Sequence, residues 1–163
     1  MGLLRSIAAR FLRFGSFASI STKGGDPRHD LGRRGERLAA RALRREGYKV
    51  LYRNFRPDAF SIEGGEIDLV CRDGETLVFV EVKTRHSVDY GTPLETVTAP
   101  QRQRIITGAF AWLRMLGYPS ILFRFDVVEI VINGEAVSLG LIKDAFTLPK
   151  NYHYPATPPT DPA

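Results

Sequence analysis

Cysteine is almost absent from this chain: Cys71 is the only one in 163 residues. An internal disulfide is thereby excluded, and a cysteine-based zinc centre lacks ligands. Histidine is nearly as scarce, and His29, His86 and His153 are scattered without ligand spacing. No apolar run is long enough to span a bilayer, which argues against stable membrane insertion. No internal repeat is visible, and aromatic and basic residues do not interleave as they do in proteins that grip single strands of nucleic acid. The first 25 residues hold no acidic side chain, only Arg5, Arg10, Arg13 and Lys23 as charges.

What is present is the composition of an ordinary globular protein, 44% hydrophobic and 25% charged, with a net charge of +5. The length suits one domain that buries its own core. The charge is unevenly spread: residues 26–56 carry ten bases and four acids, and residues 57–163 carry nine bases and fourteen acids. A basic start is therefore followed by a mildly acidic body. Such a distribution suits a backbone-binding edge beside an acidic cluster. Taken alone, it is not evidence for a nucleic-acid partner.

Three regions follow. Residues 1–27 read as a basic amphipathic leader and linker, 28–150 as the domain, and 151–163 as a Pro-rich disordered tail. On a helical wheel Leu3, Leu4, Ile7, Phe11 and Phe14 share one side of the leader. Acid-free, Arg-rich and Ser-containing, it has the look of an organellar transit peptide. A loosely ordered extension on a cytoplasmic protein is the preferred reading. Within the domain the pattern predicts a helix over Gly32–Glu46, a strand over Tyr48–Asn54, and strands over Glu66–Arg72 and Glu75–Lys83. A loop over Thr84–Pro93 leads to a helix over Pro100–Leu116. Strands over Leu122–Ile132 and Glu135–Ile142 then flank Asn133-Gly134. Phe110 and Trp112 read as core. The expected class is α/β, a mixed central sheet flanked by helices.

The central hairpin carries the chemistry. If Asp73-Gly74 is a two-residue turn, Arg72 faces Glu75, Asp68 faces Phe79 and Glu66 faces Glu81. One face then collects Ile67, Leu69, Cys71, Val78, Val80 and Val82 and should pack on the helices. The other face holds Glu66, Asp68, Glu81 and Lys83 at its open end. Three carboxylates crowded together repel one another. A hydrated divalent cation removes that conflict, magnesium being the expected ion and manganese a substitute. Lys83 can position or help deprotonate a water that attacks phosphorus, while the ion polarises the phosphoryl oxygen. Arg85 extends the same face if the strand persists, and can hold a phosphate. Alternatively, Lys83 does no more than pair with Glu81 or Glu66 on a solvated sheet end. Glu36, on the border of the first helix's apolar stripe, can add a carboxylate from above the sheet. A first-turn acid suited to the helix dipole is the simpler explanation of it.

Gly35-Glu36 with Ala39, Tyr52-Arg53-Asn54-Phe55-Arg56, Gly65-Glu66-Ile67-Asp68-Leu69-Val70 and Leu77-Val78-Phe79-Val80-Glu81-Val82-Lys83-Thr84-Arg85 together resemble the YraN-type bacterial proteins. That family is uncharacterised and classed as endonuclease-like, similar to archaeal Holliday-junction resolvases. The resemblance spans roughly Leu31 to Phe146 and includes Arg124-Phe125-Asp126-Val127-Val128. It implies a restriction-endonuclease-like core of the PD-(D/E)XK kind, with Ile67 where the motif's proline would stand. It further implies Glu36 as the helix carboxylate, Asp68 and Glu81 as principal metal ligands, Glu66 as an additional one, and Lys83 as the catalytic lysine. The second helix of such proteins usually opens with a lysine. Here Gln101 takes that place, so Arg102 or Arg104 must substitute if a phosphate is held there.

On the first helix Arg34, Arg37, Arg41 and Arg45 form a row at helical spacing, a track for phosphates or simply a solvated face. The expected nucleic-acid contacts are Arg34, Arg37, Arg41, Arg85 and Arg102. The expected activity is metal-dependent hydrolysis of phosphodiester bonds in branched or nicked DNA. The alternative is a non-catalytic binding module that keeps the fold. A homodimer suits the cutting of symmetric junctions, although no residue points to one.

Overall fold

The computed structural model describes residues 11–14, 27–57, 64–86, 97–133, 135–150 and 152. Strand β1 is Phe11–Phe14, helix α1 is Pro27–Arg45, and strands β2, β3 and β4 are Lys49–Phe55, Ile67–Asp73 and Thr76–Arg85. Helix α2 is Ala99–Met115, followed by β5, Phe123–Asn133, and β6, Ala136–Phe146. The six strands form one sheet in the order β1-β6-β5-β4-β3-β2. Every neighbouring pair is antiparallel except β4 and β5, which run parallel and are connected through α2. A parallel pair needs such a crossover, because no tight turn can join it. The result is an α/β fold with a mixed sheet flanked by two helices, compatible with a restriction-endonuclease-like core.

Each helix covers one face. In α1, Leu38, Ala39, Ala42 and Leu43 are buried and pack with Leu69, Val80 and Val128. In α2, Ile105, Ile106, Ala109 and Leu113 pack with Val70 and Phe79 on the other face. Both helices stop at glycines in the left-handed region, Gly47 (φ 89°) and Gly117 (φ 71°). At each, the next residue's N–H reaches back to a helix carbonyl, Tyr48 to Leu43 O at 3.0 Å and Tyr118 to Leu113 O at 2.8 Å. This is the Schellman arrangement, which satisfies carbonyls the helix end would strand. Among the described residues, no helix is long and apolar enough to cross a membrane.

Four expectations are revised. Phe11–Phe14 lies within the amphipathic leader yet is a strand, and it pairs Phe11 with Ile142 and Phe14 with Leu139 of β6. It thereby covers a sheet edge that would otherwise expose unpaired backbone groups. The hairpin register is Arg72 to Leu77 and Asp73 to Thr76, so the turn is Gly74-Glu75 and not Asp73-Gly74. A slip of two residues preserves which side chains share a face, so the expected clustering survives. The strand also persists through Thr84 and Arg85, where a loop was expected. Finally, Ile67 packs on the α2 side with Phe55 instead of joining Leu69 and Cys71.

The last revision has a visible cause. Ile67 follows Gly65, which lies so close to Gly108 of α2 that an added Cβ would collide with the Gly108 backbone. Glu66 N–H meanwhile donates to Arg104 O at 3.4 Å. These contacts seat the start of β3 against α2 and turn Ile67 toward it. Gly65→Ala is expected to cost about 1–3 kcal/mol by overpacking against rigid backbone. Urea unfolding of the variant beside the parent chain measures this, and a midpoint equal to the parent's would show the contact to be unimportant.

Candidate active site

A cleft of about 250 Å³ opens between the two helices at the ends of β3 and β4. It is lined by Glu36 of α1, by Glu66, Asp68, Glu81 and Lys83 of the hairpin, and by Gln101 and Arg104 of α2. Each is placed by local structure. Gly35 packs so tightly on β4 that any Cβ would overlap Thr84 Oγ1, which sets the adjacent Glu36 over the strand end. Beyond the Leu69–Val80 pair a side chain takes over from the β-ladder, with Val82 N–H donating to Asp68 Oδ2 at 2.7 Å. Continuing that register sets Asp68 beside Glu81.

The electrostatics are those of crowded carboxylates. Burial first, and then the charges of Glu81, Glu36 and Glu66, push the Asp68 carboxyl from 3.8 up to about 8, against a lowering by the Val82 N–H. Glu81 Oε1 pairs with Lys83 Nζ at 2.7 Å, with only 16% and 20% of the two side chains exposed. Glu66 is held by Arg56, whose Nη2 and Nε lie 2.6 and 3.1 Å from Oε1. Arg56 is more exposed, so this pair contributes little to stability. Among the described residues, no three His, Cys, Asp or Glu side chains already form a ready set of metal ligands. The donor chemistry nevertheless fits a hard dication: all four donors are carboxylates lining one cleft, and Glu81, Glu36 and Glu66 add to the burial that raises the Asp68 pKa.

This has a measurable pH consequence. Folding raises the Asp68 pKa, so its proton favours the native state. That contribution is complete below the usual value of 3.8 and is lost as pH rises toward about 8. Asp68→Asn keeps an acceptor for Val82 and removes the titration. The variant's melting temperature relative to the parent should therefore climb between pH 5 and pH 9 in metal-free buffer, on the order of 2 kcal/mol in favour of the variant at the alkaline end. A difference independent of pH would mean that Asp68 is not perturbed.

Glu36, Glu66, Asp68, Glu81 and Lys83 come together around one cleft, but the arginines divide. Arg85 pairs with Glu129, which is 9% exposed, and does not line the cleft. Arg102 donates its Nε to Val97 O at 3.0 Å and sits over the Phe146 ring, so Arg104 is the α2 arginine at the cleft. Arg37 and Arg41 lie exposed on α1, and Arg34 is half-buried. Gln101 accepts the Thr98 N–H at 3.0 Å, which gives it a capping role in α2. Glu129 was missed. Its signal was a lone acid in the apolar run Val127-Val128-Glu129-Ile130-Val131, and burial raises its pKa although Arg85 opposes this. Buried Cys71 is no nucleophile, since burial, then Asp126, push its thiol up to about 12.

The fold and this cleft together define a small α/β protein with a carboxylate-and-lysine site at the end of its central hairpin. The sequence pattern of the uncharacterised protein family UPF0102 matches residues 35–130. A UPF0102 protein of Geobacter metallireducens is 45% identical over 118 residues, covering 72% of this chain and 93% of the relative. One from Dechloromonas aromatica is 45% identical over 128 residues, covering 78% and 98%. One from Nocardia farcinica is 44% identical over 115 residues, covering 71% and 86%. The chain belongs to the UPF0102 family, the family of the YraN-type proteins.

Proposed function

We propose that this protein is a metal-dependent endonuclease that hydrolyses phosphodiester bonds in branched or nicked DNA. One observation carries the reading: Glu36, Asp68, Glu81 and Lys83, drawn from a helix and two strands, line one cleft in which Asp68 is strongly perturbed. Asp68 and Glu81, with Glu36 and Glu66 beside them, would hold magnesium or manganese. The ion would neutralise charge and polarise the phosphoryl oxygen. The chain's own residues supply the rest. Lys83 keeps an ammonium within the cleft, able to orient water and stabilise charge on phosphate oxygens. Arg104 and the first turn of α2 add positive potential at its wall, where a phosphate is favoured. Arg37 and Arg41, exposed on α1 beyond Glu36, form a track for flanking backbone. The natural setting is the bacterial cytoplasm, and a homodimer would match two-fold symmetric junctions.

A second reading, a binding module without catalysis, draws on the Lys83–Glu81 pair and on Gln101, whose side-chain oxygen already accepts the Thr98 N–H. Incubation with labelled duplex, nicked, flapped and four-way-junction DNA in magnesium, manganese or EDTA separates the two. Metal-dependent cutting, strongest on a branched or nicked substrate, is expected. Tight binding with no cutting in any metal would leave only the binding module.

A further inference from the structure

Arg56 pairs with Glu66 of the cleft and also borders a second cavity, of about 520 Å³. Tyr52, Phe55 and Trp112 wall this cavity, with Arg114 and Met115 of α2 completing it. The rings meet at 5.5 Å for Tyr52–Trp112, 5.0 Å for Phe55–Trp112 and 6.0 Å for Tyr52–Phe55. The platform exists because β2 is irregular. A bulge between Val50 and Tyr52 shifts the register and directs Tyr52 to the α2 side, and Asn54 adopts a left-handed backbone (φ 53°) before Phe55. β2 is the outer strand of the sheet, so the platform lies at the sheet's rim. Tyr52 is 49% exposed and Met115 65%, a concentration of exposed apolar surface that marks a binding site more often than a bare flank.

The chemistry of the walls selects the occupant. Aromatic faces stack any nucleobase, and both charged side chains lining the cavity are arginines, suited to phosphate. Arg56 also feels the charges of Asp68 and Glu36, so it lies within electrostatic reach of the carboxylate cleft. We infer that this cavity takes an unpaired nucleobase from a strand whose neighbouring nucleotide occupies the cleft, with Arg56 and Arg114 on the flanking phosphates. The inference rests on the proposed function and specifies its substrate: DNA with an unpaired base beside the cut, as at a flap, a nick or an open junction. A fully paired duplex cannot enter without extruding a base, which costs unstacking energy.

The chain contains a single tryptophan, so its indole emission reports on this cavity alone. Full-length protein is titrated with a short oligothymidylate, an abasic strand of equal length and a blunt duplex, followed by Trp112 fluorescence and by anisotropy of the labelled DNA. The oligothymidylate should quench Trp112, while the abasic strand should bind without quenching. Tyr52→Ala should weaken oligothymidylate binding roughly ten-fold or more, the contribution of one stacked base, with duplex affinity unchanged. Arg114→Ser, on an exposed position that the core does not need, should lower the salt slope by about one phosphate contact. Strand binding that leaves Trp112 emission and the Tyr52→Ala affinity unchanged would overturn the inference while the proposed nuclease stands. Quenching without cleavage of any substrate would uphold the cavity and remove the nuclease. Emission that shifts with protein concentration and not with DNA would assign the cavity to a second copy of the chain and overturn the inference.

Discussion

Lys83→Ala is expected to lower the rate of DNA cleavage by about 10²–10³-fold, the range associated with loss of a positioned group that stabilises developing charge. Its Nζ lies 2.7 Å from Glu81 Oε1, and only a fifth of the side chain is exposed, so it is held in the cleft and not free on the surface. Removing it leaves the Glu81 carboxylate unbalanced beside Asp68. Affinity for a divalent cation should therefore be retained or increased while cutting is lost. Asp68→Ala should lose both, because it removes a proposed principal ligand. Single-turnover cleavage and calorimetric titration with manganese distinguish the two variants. If Lys83→Ala cuts at the parent rate, the lysine is only the partner of Glu81, and the catalytic assignment fails.

Asp126→Ala carries the largest expected loss of stability, about 3–5 kcal/mol, because it strands a partly buried arginine that Asp126 holds through both carboxylate oxygens. Asp126 is 0% exposed. Its Oδ1 accepts from Arg124 Nε and from the Asp144 N–H, both at 2.9 Å, and its Oδ2 accepts from Arg124 Nη2 at 3.1 Å and the Tyr48 hydroxyl at 3.2 Å. The Asp144 contact holds a bulge where β6 slips against β5 and Asp144 takes a positive φ of 53°. Arg124 and Lys143 also bind Asp73 at 2.7 and 3.2 Å, tying the end of β3 to β5 and β6. Burial alone would raise the Asp73 pKa, but these two cations outweigh it and lower the value. Its contribution is thus present above the usual carboxylate range and lost only on acidification through its lowered pKa. Urea unfolding tests the claim, and a loss below about 1 kcal/mol would show the network to be dispensable. Asp126→Asn, which keeps one acceptor oxygen for the Asp144 N–H but sets an uncharged amide NH2 where Tyr48 and Arg124 donate, should fall in between.

How far the sequence could be read depends on whether a feature is local. Helix α1 was legible because Leu38, Ala39, Ala42 and Leu43 recur at helical spacing and Gly47 ends them, all within one segment. The faces of β3 and β4 were legible from alternation, and the cluster of Asp68, Glu81 and Lys83 followed. The turn was misplaced for a tertiary reason: Arg124 and Lys143 hold the Asp73 carboxylate, Asp73 stays in the strand, and Gly74 (φ 58°) opens the turn. Ile67 changed face because two glycines far apart in sequence, Gly65 and Gly108, come together. Four-residue β1 exists by pairing with β6, and no periodicity within the leader signals that partner. The pairing of Arg85 with Glu129 likewise spans two strands that only the parallel register aligns.

The most direct test of the nuclease reading is an interrupted reaction. A labelled four-way junction or flap is cut in magnesium, EDTA is added midway, and magnesium is then restored in excess. Cutting should stop on chelation, resume on restoration, and be absent throughout in Asp68→Asn. Cutting that ignores the chelator, or that persists in Asp68→Asn, would show that the carboxylate cleft is not the site of a metal-dependent reaction.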